Sequence, residues 1–345
     1  MNDSAPQELA RELVAQAGLG APVTFEPLAG GRNNRVFRIG LEDGRTAVLK
    51  CYHHDPRDPR DRLKGEWSFL NYVGARGVRN VSQPLVSNPA RHAALYSFVA
   101  GERAKAIDDG LVRQAADFAV AINGAPQQPD LLDPASEACF SLGDHVATVD
   151  RRVARLSELD PTAPHFEQAR AFVEGRVVST WQDIRAGITG QAAERGVLLN
   201  KKITRQIVSP SDFGFHNSLI DSAGQASFLD FEYAGRDDPA KLICDFFCQP
   251  ELSVPLSDYQ AFTDRLAVPL GLQEEDLWRA RLLLDAYRIK WVCIMLNEFS
   301  SVGARRRAFA SVHDNQARAA HQLRNAERYV DHHILSLPET TNGVP

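Results

Sequence analysis

Hydrophobic positions divide the chain into two stretches of different rhythm. Over residues 6–17, Leu9, Leu13 and Val14 form one stripe at helical spacing. Residues 23–28, 35–39 and 46–52 then follow the alternation or the short apolar runs of β-strands. Asp43-Gly44, between the last two, suits the positive φ angles of a tight hairpin turn. A polar segment with two prolines leads to residues 62–75, where Leu63, Trp67, Leu70 and Val73 return to helical spacing, and Gly77 ends that helix. Residues 81–86 and 92–98 read as two more strands, so the first hundred residues are strands with one inserted helix.

The rhythm changes at Ala100-Gly101. From Asp109 onward helical patterns dominate, interrupted over 123–144, with long helical stretches over 166–193 and 276–299. Residues 203–208 and 227–231 are short strand-like runs flanking the segment Ser209-Pro210-Ser211-Asp212-Phe213-Gly214-Phe215-His216-Asn217. The pattern predicts an α+β fold in two lobes. Residues 1–100 would form a strand-rich lobe and 101–335 a larger, mainly helical one. Residues 336–345, rich in Pro, Thr and Gly, would form a frayed tail.

Composition narrows the function classes. At about 100–200 residues per domain, 345 residues accommodate two lobes, and a hydrophobic fraction of 44% supplies core for both. A net charge of −5 argues against a general nucleic-acid binder, which carries a basic face. No window has the apolar length of a membrane span, and residues 1–18 lack the basic start and apolar core of a signal peptide. Five scattered cysteines make a poor disulfide framework. Cys244 and Cys248, four apart, read as buried thiols on one helix face, which suits a reducing, cytoplasmic compartment.

Candidate chemistry lies in four places. Gly30-Gly31, followed by Arg32, Asn33 and Asn34 between two strands, can bring backbone N–H groups close to phosphate oxygens, although an ordinary hairpin has the same sequence. Lys50 ends a buried apolar strand and Glu66 sits sixteen residues on among apolar helix positions. A buried charge is costly without a partner, so Glu66 is read as orienting Lys50 toward nucleotide phosphates. Phe98 and Val99 lie where strand gives way to helix and can offer backbone groups to an adenine edge, or serve as plain linker. Asp212 and Asn217 are five apart, with Asp230 thirteen residues further. An amide oxygen and a carboxylate from different strand ends suit Mg²⁺, and Asp212 can steer or accept the proton of an attacking hydroxyl.

Together these segments resemble the aminoglycoside phosphotransferase and choline/ethanolamine kinase group of protein-kinase-like enzymes. Gly30-Gly31-Arg32-Asn33-Asn34 is similar to that group's Gly-Gly-x-x-Asn loop. Asp212 and Asn217 match its His-Gly-Asp-x-x-x-x-Asn catalytic loop, and Asp230-Phe231-Glu232-Tyr233 its Asp-Phe-Glu-Tyr metal segment. The resemblance implies an ATP- and Mg²⁺-dependent kinase, with a small-molecule hydroxyl as acceptor, Asp212 as base and Asn217 and Asp230 on the metal. Pro210-Ser211 stands where the group has His-Gly. That departure is the support for an alternative, a nucleotide-binding pseudokinase acting as sensor or scaffold. Glu232, Tyr233, Tyr287 and Trp291 are candidate acceptor contacts, the aromatic rings suiting a choline-like cation and the acidic groups an aminoglycoside. The stripe Tyr287, Trp291, Met295 is equally readable as helix core. His216, inside the catalytic segment, suits either ligand contact or loop packing.

Overall fold

The computed structural model describes residues 4–28, 34–58, 60–124, 129–300 and 315–335. Helix α1 (Ser4–Gln16) precedes an antiparallel sheet of β1 (Pro22–Leu28), β2 (Arg35–Leu41), β3 (Thr46–Cys51), β4 (Pro84–Asn88) and β5 (Ala93–Ser97), in the order β1-β2-β3-β5-β4. The β2–β3 hairpin turns at Gly44, whose φ of +82° is open to glycine at little cost. Between β3 and β4 runs α2 (Arg62–Ala75), its first turn capped by the Asp61 carboxylate, which accepts from the Lys64 N–H at 2.9 Å.

Side chains alternate across a strand, and that alternation separates structure from chemistry here. Ala47 and Leu49 of β3, with Ala93 and Leu95 of β5, pack on Leu9, Leu13 and Val14 of α1. The intervening Lys50 and Ala94, with Tyr52 and Tyr96, face the other way. There Ala94, Tyr52 and Tyr96 join Phe69, Leu70 and Val73 of α2 in a core that continues through the rest of the chain. After β5 the chain crosses to the helical lobe through paired backbone bonds between Glu102 and Ile220, at 2.9 and 2.7 Å. Gly101 makes that crossing fit: its φ is +147°, and a Cβ there would lie 2.8 Å from the Ile220 carbonyl oxygen.

The helical lobe contains α3 (Asp109–Ile122), α4 (Leu142–Ala154) and α5 (Phe166–Phe172), which runs through a π-helical turn over Val173–Val177 into α6 (Val178–Glu194). Two short antiparallel pairs follow. One joins β6 (Ile207–Ser209) to β9 (Gly235–Asp237), and the other joins β7 (Ser218–Ile220) to β8 (Ala226–Phe228). Then come α7 (Pro239–Cys248), α8 (Tyr259–Leu270), α9 (Glu274–Leu296) and a last described helix, Asn315–Val330. α7 lies along α9, where the Cys244 and Cys248 thiols each sit 3.3 Å from a carbonyl oxygen, of Ala280 and Leu284. All five cysteines are free. No helix among the described residues is long and apolar enough to cross a membrane.

The strand readings over 203–208 and 227–231 were too long. β8 ends at Phe228, and Asp230 turns out of extended geometry with φ +65°. A train of aromatic rings fixes this region. Phe69 of α2 packs at a tilt on Phe231 at 4.5 Å, while Phe118 stacks on Phe228 at 4.6 Å, Phe213 on Phe246 at 5.1 Å and Phe246 on Phe262 of α8 at 4.5 Å. Phe213, Phe228 and Phe231 alternate with the polar residues of the site, so burying the rings dictates where Asp212 and Asp230 point.

Candidate active site

The floor of the site is a buried cation between two carboxylates. Lys50 Nζ lies 2.6 Å from Glu66 Oε2 and 2.5 Å from Asp230 Oδ1. Burial would pull the Lys50 amine down, but Asp230, Glu66 and Glu232 around it hold its pKa well above the ordinary value, so it stays charged. The Tyr52 hydroxyl donates to Glu66 Oε2 at 2.8 Å and shares a 2.6 Å bond with the Tyr96 hydroxyl. Tyr52 was not among the sequence candidates, although it lies two residues beyond Lys50 and so on the same face of the sheet.

The segment around Asp212 is built from tight local contacts. The Phe213 N–H donates to the Ser211 carbonyl at 2.7 Å, and the Asn217 side-chain amide to the Asp212 carbonyl at 3.0 Å. The Leu229 N–H donates to the Asn217 carbonyl at 2.9 Å, which ties this loop to the segment carrying Asp230. Burial pushes the Asp212 carboxyl up. His216, Lys290 and the Asn217 amide outweigh it and hold the pKa below the usual carboxylate value, so Asp212 is an anion at neutral pH. Its side chain remains 32% exposed.

Pro210-Ser211 is accommodated by a specific bond. Ser211 takes φ +67°, a conformation that glycine adopts freely and a side chain does not. Its Oγ accepts from Lys241 Nζ at 3.1 Å, and its N–H donates to Ser209 Oγ at 3.1 Å. Lys241 in turn lies 2.6 Å from Asp237 and 3.6 Å from Asp245, and Lys290 is 2.5 Å from Asp245. This buried relay of alternating charges runs from α9 through α7 to the loop.

The remaining candidates divide. Asn34 and Glu232 come together, with Asn34 Nδ2 donating to Glu232 Oε2 at 2.6 Å and Arg62 Nε 3.7 Å from the other oxygen. Glu232 is 4% exposed, so it ties the end of the strand-lobe loop to the metal-type segment and is withdrawn from an acceptor. Tyr233 lies beneath the guanidinium groups of Arg60 and Arg62, at 5.6 and 5.9 Å. Tyr287 is 1% exposed and shares a 2.8 Å hydrogen bond with His145, so it belongs to the core of α9 and not to an acceptor surface. Trp291 is also buried but reaches the site, its ring edge-on to His216 at 6.1 Å. Phe98 and Val99 follow β5 in the crossing segment, with the Arg38 guanidinium 5.0 Å from the Phe98 ring. Gly30 and Gly31 lie outside the described residues, as does the tail 336–345.

The donor set suits a hard cation bound with phosphates. The Asn217 amide nitrogen is spent on Asp212, which leaves its oxygen facing away from that bond, and Asp230 is 44% exposed with one oxygen on Lys50. Among the described residues there is no group of three or more His, Cys, Asp or Glu placed to hold a metal. Mg²⁺ needs no such cage, because phosphates and waters complete its shell.

A model of the phosphotransferase enzyme family matches residues 24–259. A search of curated protein sequences found no match. Among solved structures, the chain is similar to a spectinomycin phosphotransferase in complex with ADP and spectinomycin, at 13% identity and TM-score 0.60, covering 93% of each chain. It is similar to the ethanolamine kinase of Plasmodium vivax, at 12% identity and TM-score 0.58, over 94% of this chain and 89% of that one. It is also similar to the macrolide 2′-phosphotransferase of Brachybacterium faecium, at 16% identity and TM-score 0.53, over 92% and 97%. These likenesses show a two-lobed, kinase-like fold.

Proposed function

The chain belongs to the phosphotransferase enzyme family, and on that premise we propose that it moves the γ-phosphate of ATP onto a hydroxyl group of a small molecule. The observation that carries this reading is the convergence of Glu66 and Asp230 on Lys50 Nζ, at 2.6 and 2.5 Å, with the Asp230 segment hydrogen-bonded to the Asp212–Asn217 loop. Lys50, charged and held by Glu66, would meet the phosphates. Asp212, an anion, would accept a hydrogen bond from the acceptor hydroxyl and aim its oxygen at the γ-phosphorus. As the new P–O bond forms, the bond to the β-phosphate oxygen breaks, ADP leaves with that electron pair, and the hydroxyl proton passes to Asp212. Asn217 and Asp230 would hold Mg²⁺, which when bound supplies positive charge against the phosphate oxygens. The chain's own contribution is positioning and fixed charge.

A sensor or scaffold without transfer activity is less well supported, because Lys50, Asp212, Asn217 and Asp230 are all present and Ser211 has a partner in Lys241. Calorimetric titration with nucleotide tests the assignment. Asp230→Ala should weaken binding of Mg·ATP at least tenfold while leaving metal-free ATP within threefold of wild type. Unchanged Mg·ATP affinity would remove Asp230 from the metal site.

A further inference from the structure

His216 is hydrogen-bonded to the carboxylate of Asp212, with Nε2 3.1 Å from Oδ1. Its ring is clamped on several sides. Trp291 meets it edge-on, with the planes at 87°. Gly214 lies beside the Nδ1 and Cε1 atoms of the ring, where a Cβ would be 2.9 Å and 3.2 Å from them, so a larger residue would displace the imidazole. Phe213 and Phe215, on either side of that glycine, are anchored on Phe246 at 5.1 and 5.6 Å. The ring therefore has little freedom to leave the carboxylate.

The other nitrogen fixes its hydrogen-bonding sense. Nδ1 is buried and has no hydrogen-bond partner among the described residues. A proton there would leave a buried donor unsatisfied, at a cost of about 1–3 kcal/mol. The tautomer assigned from this network therefore carries its proton on Nε2, which donates to Asp212. The surroundings ask for such a brace. The Asp212 side chain is 32% exposed, and a partly exposed carboxylate free to rotate would align an acceptor hydroxyl poorly.

We propose that His216 is a positioning residue for phosphoryl transfer: Nε2–H holds Oδ1 of Asp212, so that Oδ2 is presented to the acceptor hydroxyl. The proposal rests on Asp212 being the group that receives that hydroxyl. It gives His216, which sequence reading left between ligand contact and loop packing, a defined task, and it gives Trp291 a supporting one.

The test uses full-length protein hydrolysing Mg·ATP, with water as the surrogate acceptor. His216→Phe keeps an aromatic ring against Trp291 and removes the donor. His216→Gln replaces the ring by an amide whose nitrogen stands at the same chain distance as Nε2. We expect His216→Phe to lower kcat at least tenfold with KM for ATP within twofold, and His216→Gln to recover to within threefold of wild type. Melting temperatures of both variants verify that they are folded. Overturning results are a His216→Phe rate within threefold of wild type, or a glutamine variant as slow as the phenylalanine one, which would make the ring a packing element. Asp212→Asn, run alongside, separates the two levels. If it hydrolyses at the wild-type rate, the reading of Asp212 fails and the proposal with it. A slow Asp212→Asn beside a fast His216→Phe overturns the proposal alone.

Discussion

Lys241→Met probes the buried relay that supports the candidate catalytic loop. Lys241 is 1% exposed, and its Nζ serves Asp237 at 2.6 Å, Ser211 at 3.1 Å and Asp245 at 3.6 Å. Methionine fills similar volume without the charge. Asp245 keeps Lys290 at 2.5 Å, so it is not orphaned. Asp237 keeps two backbone N–H groups on Oδ1, from Cys139 and Asp238 at 2.9 Å each, but its Oδ2 loses the ammonium. Removing one partner of a buried pair costs about 3–5 kcal/mol, and the surviving amides place this case near the lower end, about 3 kcal/mol. At about 2.1 cal/mol/K of unfolding entropy per residue, that lowers Tm by about 4 °C for a chain of this length. Asp237→Asn combined with Lys241→Met removes both charges and should recover more than half of the loss. Thermal unfolding of the four proteins in the cycle measures the coupling. A single variant as stable as wild type, or a double variant whose losses simply add, would refute the account of the relay.

Four further outcomes follow from the same geometry. Ser211→Gly relieves a left-handed conformation worth about 1 kcal/mol while losing the Lys241 bond, and Ser211→Ala loses the bond without relief, so urea unfolding should rank glycine above alanine. Glu66→Gln leaves Lys50 with Asp230 as its near carboxylate and should raise the dissociation constant for Mg·ATP about tenfold by titration, at about 1.4 kcal/mol. Gly101→Ala drives a Cβ to 2.8 Å from the Ile220 oxygen and should cost about 2 kcal/mol in chemical denaturation. For Glu137, burial pushes the carboxyl up, but Arg152, Lys290 and Lys241 bring it down to about 2. A lowered folded-state pKa contributes stability above the ordinary value of 4.5 that is lost as pH falls toward 2. Glu137→Gln should therefore flatten part of the fall in urea midpoint between those pH values.

The two-lobed fold was legible because its elements follow simple periods. The Asp43-Gly44 hairpin, the helix over 62–75 and the change of rhythm after Ala100 all reflect local preferences. The strand over 227–231 was read too long because Asp230 leaves extended geometry for reasons that sit elsewhere, in the packing of Phe231 on Phe69 and in the Lys50 contact. Site partners far apart in sequence followed the same division. Lys50 and Glu66 share a strand face and a helix face, so spacing suggested their meeting. The bond between Asn34 and Glu232 spans 198 residues and has no local signal. Tyr287 suited either a ligand contact or helix core from its spacing alone, and the structure spends it on His145. Ser211 in place of glycine looked like damage to the loop until Lys241, thirty residues away, supplied its partner.

The central claim is that a phosphoryl group moves at the site formed by the Asp212 loop with Lys50 and Asp230. Its most direct measurement is transfer of label from γ-³²P-ATP across a library of hydroxyl-bearing metabolites, with wild-type protein and Asp212→Ala side by side. The account predicts a labelled small-molecule product from wild type and a rate at least a hundredfold lower from the variant, the span expected for removal of a positioned base. Equal labelling by the two proteins would contradict it.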